Sequence, residues 1–463
     1  MITDMFRRII LKKKDKFIFT SYKDSMIDFS KIEKNTGMYI HIPFCRSICP
    51  YCPYNKVIYE KNKAEKYKNA LLNEINIYKQ YLKDKKISSI YIGGGTPTLL
   101  IDEIKEVLDF IRKEFHFNGD VGIEVYPTEV GEELLAKIKL AGINLVSLGV
   151  QTFNDDKLKF LGRKYTAKDA QQALEKIIKF NFKCVDVDIM TNIPGQTIQQ
   201  IEYDLRKIYS YNINQLSIYP LIIFPMTPMD KIIKERNLNR FNEFQERKIL
   251  KLIDDVSKEH GYKRSSVWTY DKEEDNRYTS VTRESFIGIG AGASSLFSNY
   301  FYLNTFNVNE YIKALTEDLH YAHTHGDGYV INSDFYEESY VESQESLYKN
   351  SYKIHSKKLP INIVNIMTDR EKMIFWIFWR CYDGIINRDK FYELFNKNME
   401  KEFKLLFKIL KILKMCEEKE NKIFLTELGR FAYHYVEKQY SIYYLNYLWG
   451  ESMKNPWIKK LEL

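Results

Sequence analysis

Between residues 37 and 220 the sequence alternates six times between a short β-rich apolar run and a helical pattern, and this alternation restricts the possible folds more than any other feature. The runs are Met38–Ile42, Ile87–Ile92, Gly122–Tyr126, Leu145–Val150, Val185–Ile189 and Gln215–Tyr219. The segments between them predict helices over 63–83, over 101–114, up to Gly142 as a closing glycine, and over 167–180, where Ala170, Leu174, Ile177 and Ile178 share one face. Parallel strands cannot be joined by a tight turn, so strands separated by helices imply a parallel sheet with helical crossovers. Six units are too few for a complete eight-stranded barrel.

The first strand runs into His41-Ile-Pro-Phe-Cys45-Arg-Ser-Ile-Cys49-Pro-Tyr51-Cys52, and no further cysteine occurs until Cys184. A structural zinc site wants four closed ligands, and this cluster of thiols offers three. A four-iron, four-sulfur cluster on three thiolates keeps one iron open to a substrate or cofactor. The spacing therefore points to catalysis by an iron–sulfur cluster held by Cys45, Cys49 and Cys52.

The chain of 463 residues is long enough for two or three domains, and 44% hydrophobic residues support a substantial core. Its 70 Lys and Arg against 62 Asp and Glu leave a net charge of +8, spread over Lys-rich helices that read as solvated faces. This balance does not indicate a nucleic-acid partner, and it suits an anionic small molecule. The six cysteines do not form a secreted disulfide framework, since three belong to one motif. The N-terminus lacks an apolar signal segment before Lys12, and no run reaches membrane-spanning length. These features predict a cytoplasmic protein without a membrane span.

The C-x3-C-x2-C spacing, with Tyr39-Ile-His-Ile-Pro-Phe-Cys45 around it and Gly93-Gly-Gly-Thr-Pro-Thr98 downstream, resembles the radical S-adenosylmethionine (SAM) superfamily, in the branch of oxygen-independent coproporphyrinogen III oxidase. The resemblance implies an α/β fold: an open, partial (β/α)6 TIM-like barrel with its site at the C-terminal strand ends. It implies a [4Fe-4S] cluster on Cys45, Cys49 and Cys52, and SAM bound to the open iron and cleaved by one electron to a 5′-deoxyadenosyl radical. It assigns Tyr51 to the adenine, and the turn at Gly94, Gly95 and Thr96 to the amino-acid part of SAM. Glu124, Gln151, Arg163 and Asp188 match polar positions that bind SAM in this branch, and Tyr39, Ile222 and Ser294 match less specific ones. On its own, Glu124 in an apolar strand reads as half of a structural ion pair.

Within the branch, Cys49-Pro-Tyr-Cys-Pro-Tyr54 and Tyr278-Thr-Ser-Val-Thr-Arg283 resemble the class C radical SAM methyltransferases, a group that includes anaerobic haem-degrading enzymes. Coproporphyrinogen oxidase itself carries a further cysteine where this chain reads Pro53-Tyr-Asn-Lys56, and haem chaperones carry a His-Asn-x-x-Tyr-Trp segment where it reads Arg277–Arg283. The resemblance thus implies two SAM molecules, one for the radical and one as methyl donor, and methyl transfer to an sp2 carbon of a tetrapyrrole such as haem. It also implies a flavodoxin- or ferredoxin-type electron donor. Oxidative decarboxylation of coproporphyrinogen and non-catalytic haem carriage are the alternatives.

The expected organisation is an N-terminal extension over 1–36, a radical SAM core with its elaboration over 37–300, a connector or lid over 301–366, and a mainly helical, winged-helix-like domain over 367–463. His323 and His325 read as a solvated pair in a polar loop, with a metal or haem ligand pair as the minor alternative. Cys184, Cys381 and Cys416 read as buried small apolar residues. The aromatic run Phe375-Trp-Ile-Phe-Trp379 reads as core or interface, with a macrocycle platform as the minor alternative.

Overall fold

A computed structural model describes residues 17–23, 26–272, 284–316 and 358–463. All six apolar runs are strands: β1 Asn35–Ile42, β2 Lys86–Gly94, β3 Asp120–Val125, β4 Leu145–Gln151, β5 Cys184–Thr191 and β6 Gln215–Pro220. They lie side by side in sequence order, each parallel to the next. The crossovers include α1 Lys61–Leu82, α2 Ile101–Phe115, α3 Glu132–Leu140, α4 Ala167–Lys179 and α5 Ile198–Tyr209. Thr166 with Asp169 and Thr197 with Gln200 form capping boxes that start α4 and α5.

Register explains which strand face does what. Met38, Ile40, Ile90, Ile92, Val121, Ile123, Val146, Leu148, Val185, Val187, Leu216 and Ile218 fall on one face and belong to the main hydrophobic core with the helices. The opposite face carries Tyr39, Tyr91, Glu124, Ser147, Gly149, Asp186, Asp188, Ser217 and Tyr219, a polar and aromatic surface. Burying both faces makes the strands read as nearly continuous apolar runs. Cys184 sits on the polar face at its lower end, fully buried against Leu145 and Tyr91.

The barrel stays open, and among the described residues the sheet grows to 14 strands. Next to β6 stand Thr269–Asp271 and Lys263–Arg264, both antiparallel to their neighbours. Beside β1, strand β7 (Phe286–Ile289) runs parallel, followed by Ser294–Phe297, Tyr300–Asn304, Ile361–Ile366, Ile18–Ser21 and finally Lys460–Glu462. The expected boundaries at 36, 300 and 366 therefore do not separate the sheet. The described residues of 301–366 supply part of the strand Tyr300–Asn304, its neighbour Ile361–Ile366 and the helix Val308–Thr316, because Ile361-Asn-Ile-Val-Asn-Ile366 is an apolar strand inside a region that reads as polar. His323 and His325, and the segment Arg277–Arg283, lie outside the described residues.

The C-terminal part begins with α6 (Asp369–Asp383), capped by Thr368 and Glu371 and ended by Gly384 at φ 73°. Helices Arg388–Phe395 and Lys404–Ile412 pack with a three-stranded antiparallel sheet, Ile385–Asn387, Lys422–Leu425 and Cys416–Lys419, around Met373, Ile386, Phe391 and Phe407. Helix α7 (Glu427–Tyr440) then returns to the barrel. A buried polar chain ties it there. Trp268 Nε1 donates to His434 Nδ1 at 2.9 Å, and His434 Nε2 lies 3.1 Å from Glu246 Oε2. Lys438 Nζ donates to both Glu246 oxygens at 2.5 and 2.7 Å. Indole only donates, so His434 accepts at Nδ1 and carries its proton on Nε2. Burial opposes the Glu246 charge, but the bond to His434 and the Lys438 charge outweigh it and bring the carboxyl to about 2. No described helix is long and apolar enough to cross a membrane.

Candidate active site at the barrel mouth

The cysteine loop leaves β1 through Phe44–Cys45, which pairs in parallel with Val57–Ile58 and so closes residues 46–56 into a loop. Within it Cys52 N–H donates to the Cys49 carbonyl at 3.2 Å, and Lys56 Nζ donates to the Cys52 carbonyl at 2.6 Å. All three cysteines are free and partly buried. Burial, with Cys52 next to it, pushes the Cys45 thiol up to about 11, and burial raises Cys52 too. Among the described residues no three His, Cys, Asp or Glu side chains group tightly enough for a single metal ion. Three thiolates on a cuboidal cluster bind three different irons, so they need no common point.

The glycine turn at the end of β2 presses directly on this loop. Gly95 N–H donates to the Ile42 carbonyl and Thr96 N–H to the Phe44 carbonyl, both at 2.7 Å. A Cβ on Gly95 would lie 2.5 Å from the Phe44 oxygen and 2.8 Å from Cys45 Sγ, so only glycine fits. Gly94 has φ +122°, and its N–H donates to Glu124 at 3.1 Å. Tyr91 donates to the same carboxylate at 2.5 Å. Burial still keeps Glu124 above the ordinary carboxylate range, with those two bonds opposing.

Gln151 ends β4 with φ 67°, the left-handed region that non-glycine residues avoid, and its Oε1 is buried with no hydrogen-bond partner among the described residues. Asp188 accepts from Ser147 at 3.1 Å, and Ser147 and Ser217 both donate to Asp186 at 3.1 Å. Burial, reinforced by Glu124 beside Asp188, pushes both aspartates well above the usual carboxylate range. Arg163 donates to Tyr51 Oη at 2.5 Å, and its guanidinium stands 5.2 Å from the Tyr126 ring and 5.6 Å from the Tyr51 ring. Its Nε is buried without a hydrogen-bond partner among the described residues.

Tyr39, Tyr51, Cys45, Cys49, Cys52, Gly94, Gly95, Thr96, Glu124, Gln151, Arg163 and Asp188 thus meet at the C-terminal ends of β1 to β5 and the loops that follow them. Ile222 follows β6 and packs toward Trp268 and Tyr433. Ser294 is farther out: Tyr39 pairs with Gly288, and Ser294 lies one strand beyond, its carbonyl against Gly288.

Sequence reasoning missed the supports. Tyr39 lies 2.8 Å from His41 Nδ1, and His41 Nε2 lies 3.0 Å from the Asn55 carbonyl. Asn55 Nδ2 in turn donates to the Ala291 and Phe306 carbonyls. Burial lowers His41 to about 4, so it is neutral, donates to Asn55 and accepts from Tyr39. Tyr126 and Tyr165, which frame Arg163, were missed too; aromatic residues in strand and loop give no sequence signal for such a cage.

The three thiols, the unpartnered Gln151 acceptor and the unpartnered Arg163 donor fit a cluster and a small polar cofactor. Residues 39–208 match the radical SAM superfamily. Heme chaperone HemW of Bacillus subtilis is 32% identical over 297 residues, 62% of this chain and 78% of that protein. Oxygen-independent coproporphyrinogen III oxidase of Salmonella typhimurium is 31% identical over 191 residues, 40% of this chain and 42% of that protein. In fold, the chain matches coproporphyrinogen III oxidase from Escherichia coli, with a TM-score of 0.70 and 18% identity, over 92% of this chain and 95% of the other. Three thiols on the loop after the first barrel strand, together with a relative matched over most of its length, establish that this chain belongs to the radical SAM superfamily, in the branch of oxygen-independent coproporphyrinogen III oxidase and heme chaperone HemW.

Proposed function

We propose that this chain is a cytoplasmic, anaerobic radical SAM enzyme that modifies a tetrapyrrole such as haem by methyl transfer to an sp2 carbon. Its family implies a [4Fe-4S] cluster and SAM. Cys45, Cys49 and Cys52 are the cluster ligands, and Tyr51, Gly94, Gly95, Thr96, Glu124, Gln151, Arg163 and Asp188 hold SAM, with Tyr39, Ile222 and Ser294 at the rim. When bound, the reduced cluster supplies the electron that breaks a C–S bond of SAM. The chain's own side chains position and enclose. Glu124, fixed by Tyr91 and the Gly94 N–H, offers an acceptor for an ammonium. Arg163 is immobilised between tyrosine rings, which suits recognition of an anionic group. A second SAM is the methyl donor, and a flavodoxin- or ferredoxin-type protein the electron source.

The observation that carries the catalytic reading is Gln151. A left-handed non-glycine backbone costs about 1–3 kcal/mol, and a buried acceptor without a partner a similar amount. Both persist at one strand end because the acceptor is wanted there. The loop sequence Cys49-Pro-Tyr-Cys-Pro-Tyr54 favours methyl transfer. A second reading, tetrapyrrole carriage without turnover, draws on the relatives named as heme chaperones. The test is anaerobic incubation of reduced, cluster-loaded protein with SAM and haem, read by mass spectrometry. S-adenosylhomocysteine with a methylated tetrapyrrole supports the proposal. Tight haem binding with no product of either cofactor or haem favours the carrier, and decarboxylation of coproporphyrinogen without S-adenosylhomocysteine favours the oxidase.

A further inference from the structure

Helices α6 and α7 face each other with an unusual lining. From α6 come Phe378, Trp379 and Tyr382, none of them fully buried. From α7 come Tyr433, Glu437 and Tyr440, spaced so that they share one face. The Phe378 ring lies 5.2 Å from Tyr433 and 5.1 Å from Tyr440, and Tyr382 lies 5.7 Å from Trp379 and 6.2 Å from Tyr433. Among these rings three buried polar atoms have no hydrogen-bond partner among the described residues: Glu437 Oε2, Tyr433 Oη and Trp379 Nε1. Glu437 is only 8% exposed and Tyr433 7%. The other Glu437 oxygen accepts a long 3.5 Å hydrogen bond from Ser441 Oγ. Buried polar groups are almost always satisfied, so an unpaired carboxyl beside an unpaired phenol marks a place kept for a ligand.

The lining adjoins the barrel mouth. Tyr219 and Ile222, at and just beyond the end of β6, pack into the same cluster as Tyr433, Phe378 and Tyr382. Tyr54 of the cysteine loop, 53% exposed, lies within electrostatic reach of Tyr382, Glu124 and Asp188.

We infer that Glu437 and Tyr433 bind a side-chain carboxylate of the substrate while its flat ring system lies on the aromatic face of α6. The inference rests on the tetrapyrrole reading above and adds the subsite that reading lacks. All three unpartnered groups can donate a hydrogen: indole N–H only donates, phenol O–H donates, and a protonated carboxyl donates. Burial pushes Glu437 up to about 7, and a second carboxylate beside it raises it further, so the pair shares one proton. Tetrapyrroles combine a broad aromatic or pyrrolic surface with carboxylate side chains, which matches aromatic walls around buried donors.

The test compares haem with haem dimethyl ester, in which the carboxylates are esterified, by anaerobic absorbance titration of the cluster-loaded protein. The wild-type protein is expected to bind haem at least tenfold more tightly than the ester. Glu437→Leu and Tyr433→Phe should bring that ratio close to one. Removing an unpaired buried carboxyl should also leave the melting temperature of Glu437→Leu unchanged or higher, which a structural role would not allow. Equal binding of haem and ester by the wild type, an unchanged ratio in both variants, or a destabilised Glu437→Leu protein overturns the subsite alone. A wild-type protein that binds neither compound overturns the tetrapyrrole reading, and the subsite with it.

Discussion

Replacing Gly95 with Ala adds one methyl group where the glycine turn meets the cysteine loop. The backbone itself tolerates alanine, since Gly94 and not Gly95 has the positive φ. The cost is steric. The new Cβ would sit 2.5 Å from the Phe44 carbonyl oxygen and 2.8 Å from Cys45 Sγ, where real Cβ contacts stay beyond 3.0 Å. The turn cannot retreat, because Gly95 and Thr96 are pinned to Ile42 and Phe44 by hydrogen bonds of 2.7 Å. Cys45 and its strand must therefore move by about 0.5 Å or more, an overpacking that costs about 1–3 kcal/mol. Displacement of 1 Å at a reacting centre can cost about a hundredfold in rate, so SAM cleavage should fall at least about tenfold. Iron and sulfide content per chain, with SAM cleavage measured anaerobically, reads the effect. Gly131→Ala is the control, since no atom of the described residues lies within 4 Å of its added methyl. Full cluster content and wild-type cleavage in Gly95→Ala would refute the idea that the turn sets the position of Cys45.

Three further outcomes follow from buried charges. Glu74 of α1 is fully buried and accepts from Tyr311, Asn304 and the Gly290 N–H, yet burial pushes it up to about 7. It binds its proton more tightly folded than unfolded, so its contribution is present below about pH 4.5 and lost as pH rises through 7, about 3 kcal/mol in all. Glu74→Gln should show a smaller fall in melting temperature from pH 5 to pH 8 than the wild type; an equal fall would count against it. In the proposed SAM site an ionised Asp188 accepts more strongly than a protonated one, and burial with Glu124 nearby raises it to about 7, so SAM affinity should increase as pH rises through neutrality, whereas Asp188→Asn should give a flatter profile. Glu246→Ala leaves Lys438 and His434 buried without their partner, a loss of about 3–5 kcal/mol, and should speed hydrogen exchange across α7 more than across α4.

The six barrel strands were legible because a parallel sheet buries both strand faces and so reads as separate apolar runs, such as Leu145-Val-Ser-Leu-Gly-Val150. The cysteine loop and glycine turn were legible because their chemistry is local in sequence. What the sequence concealed depends on partners distant along the chain. Strand Ile361–Ile366 pairs with Tyr300–Asn304 on one side and Ile18–Ser21 on the other, and none of these three short segments announces that neighbour. Glu74 sits in a Lys-rich helix whose charges predict a solvated face, but its carboxylate turns inward to Gly290, Asn304 and Tyr311. The polar strand positions Tyr91, Ser147 and Asp186 read singly as unremarkable, and only the register places them on one surface with Glu124 and Asp188.

The central claim is that Cys45, Cys49 and Cys52 hold a cluster with one iron open to SAM, and electron paramagnetic resonance of the reconstituted, reduced protein tests it most directly. The wild type should show a reduced [4Fe-4S] signal that changes when SAM is added, and Cys45→Ala, Cys49→Ala and Cys52→Ala should each lose it. A cysteine variant that keeps the full signal with its SAM-dependent change, or a wild-type cluster indifferent to SAM, would contradict it.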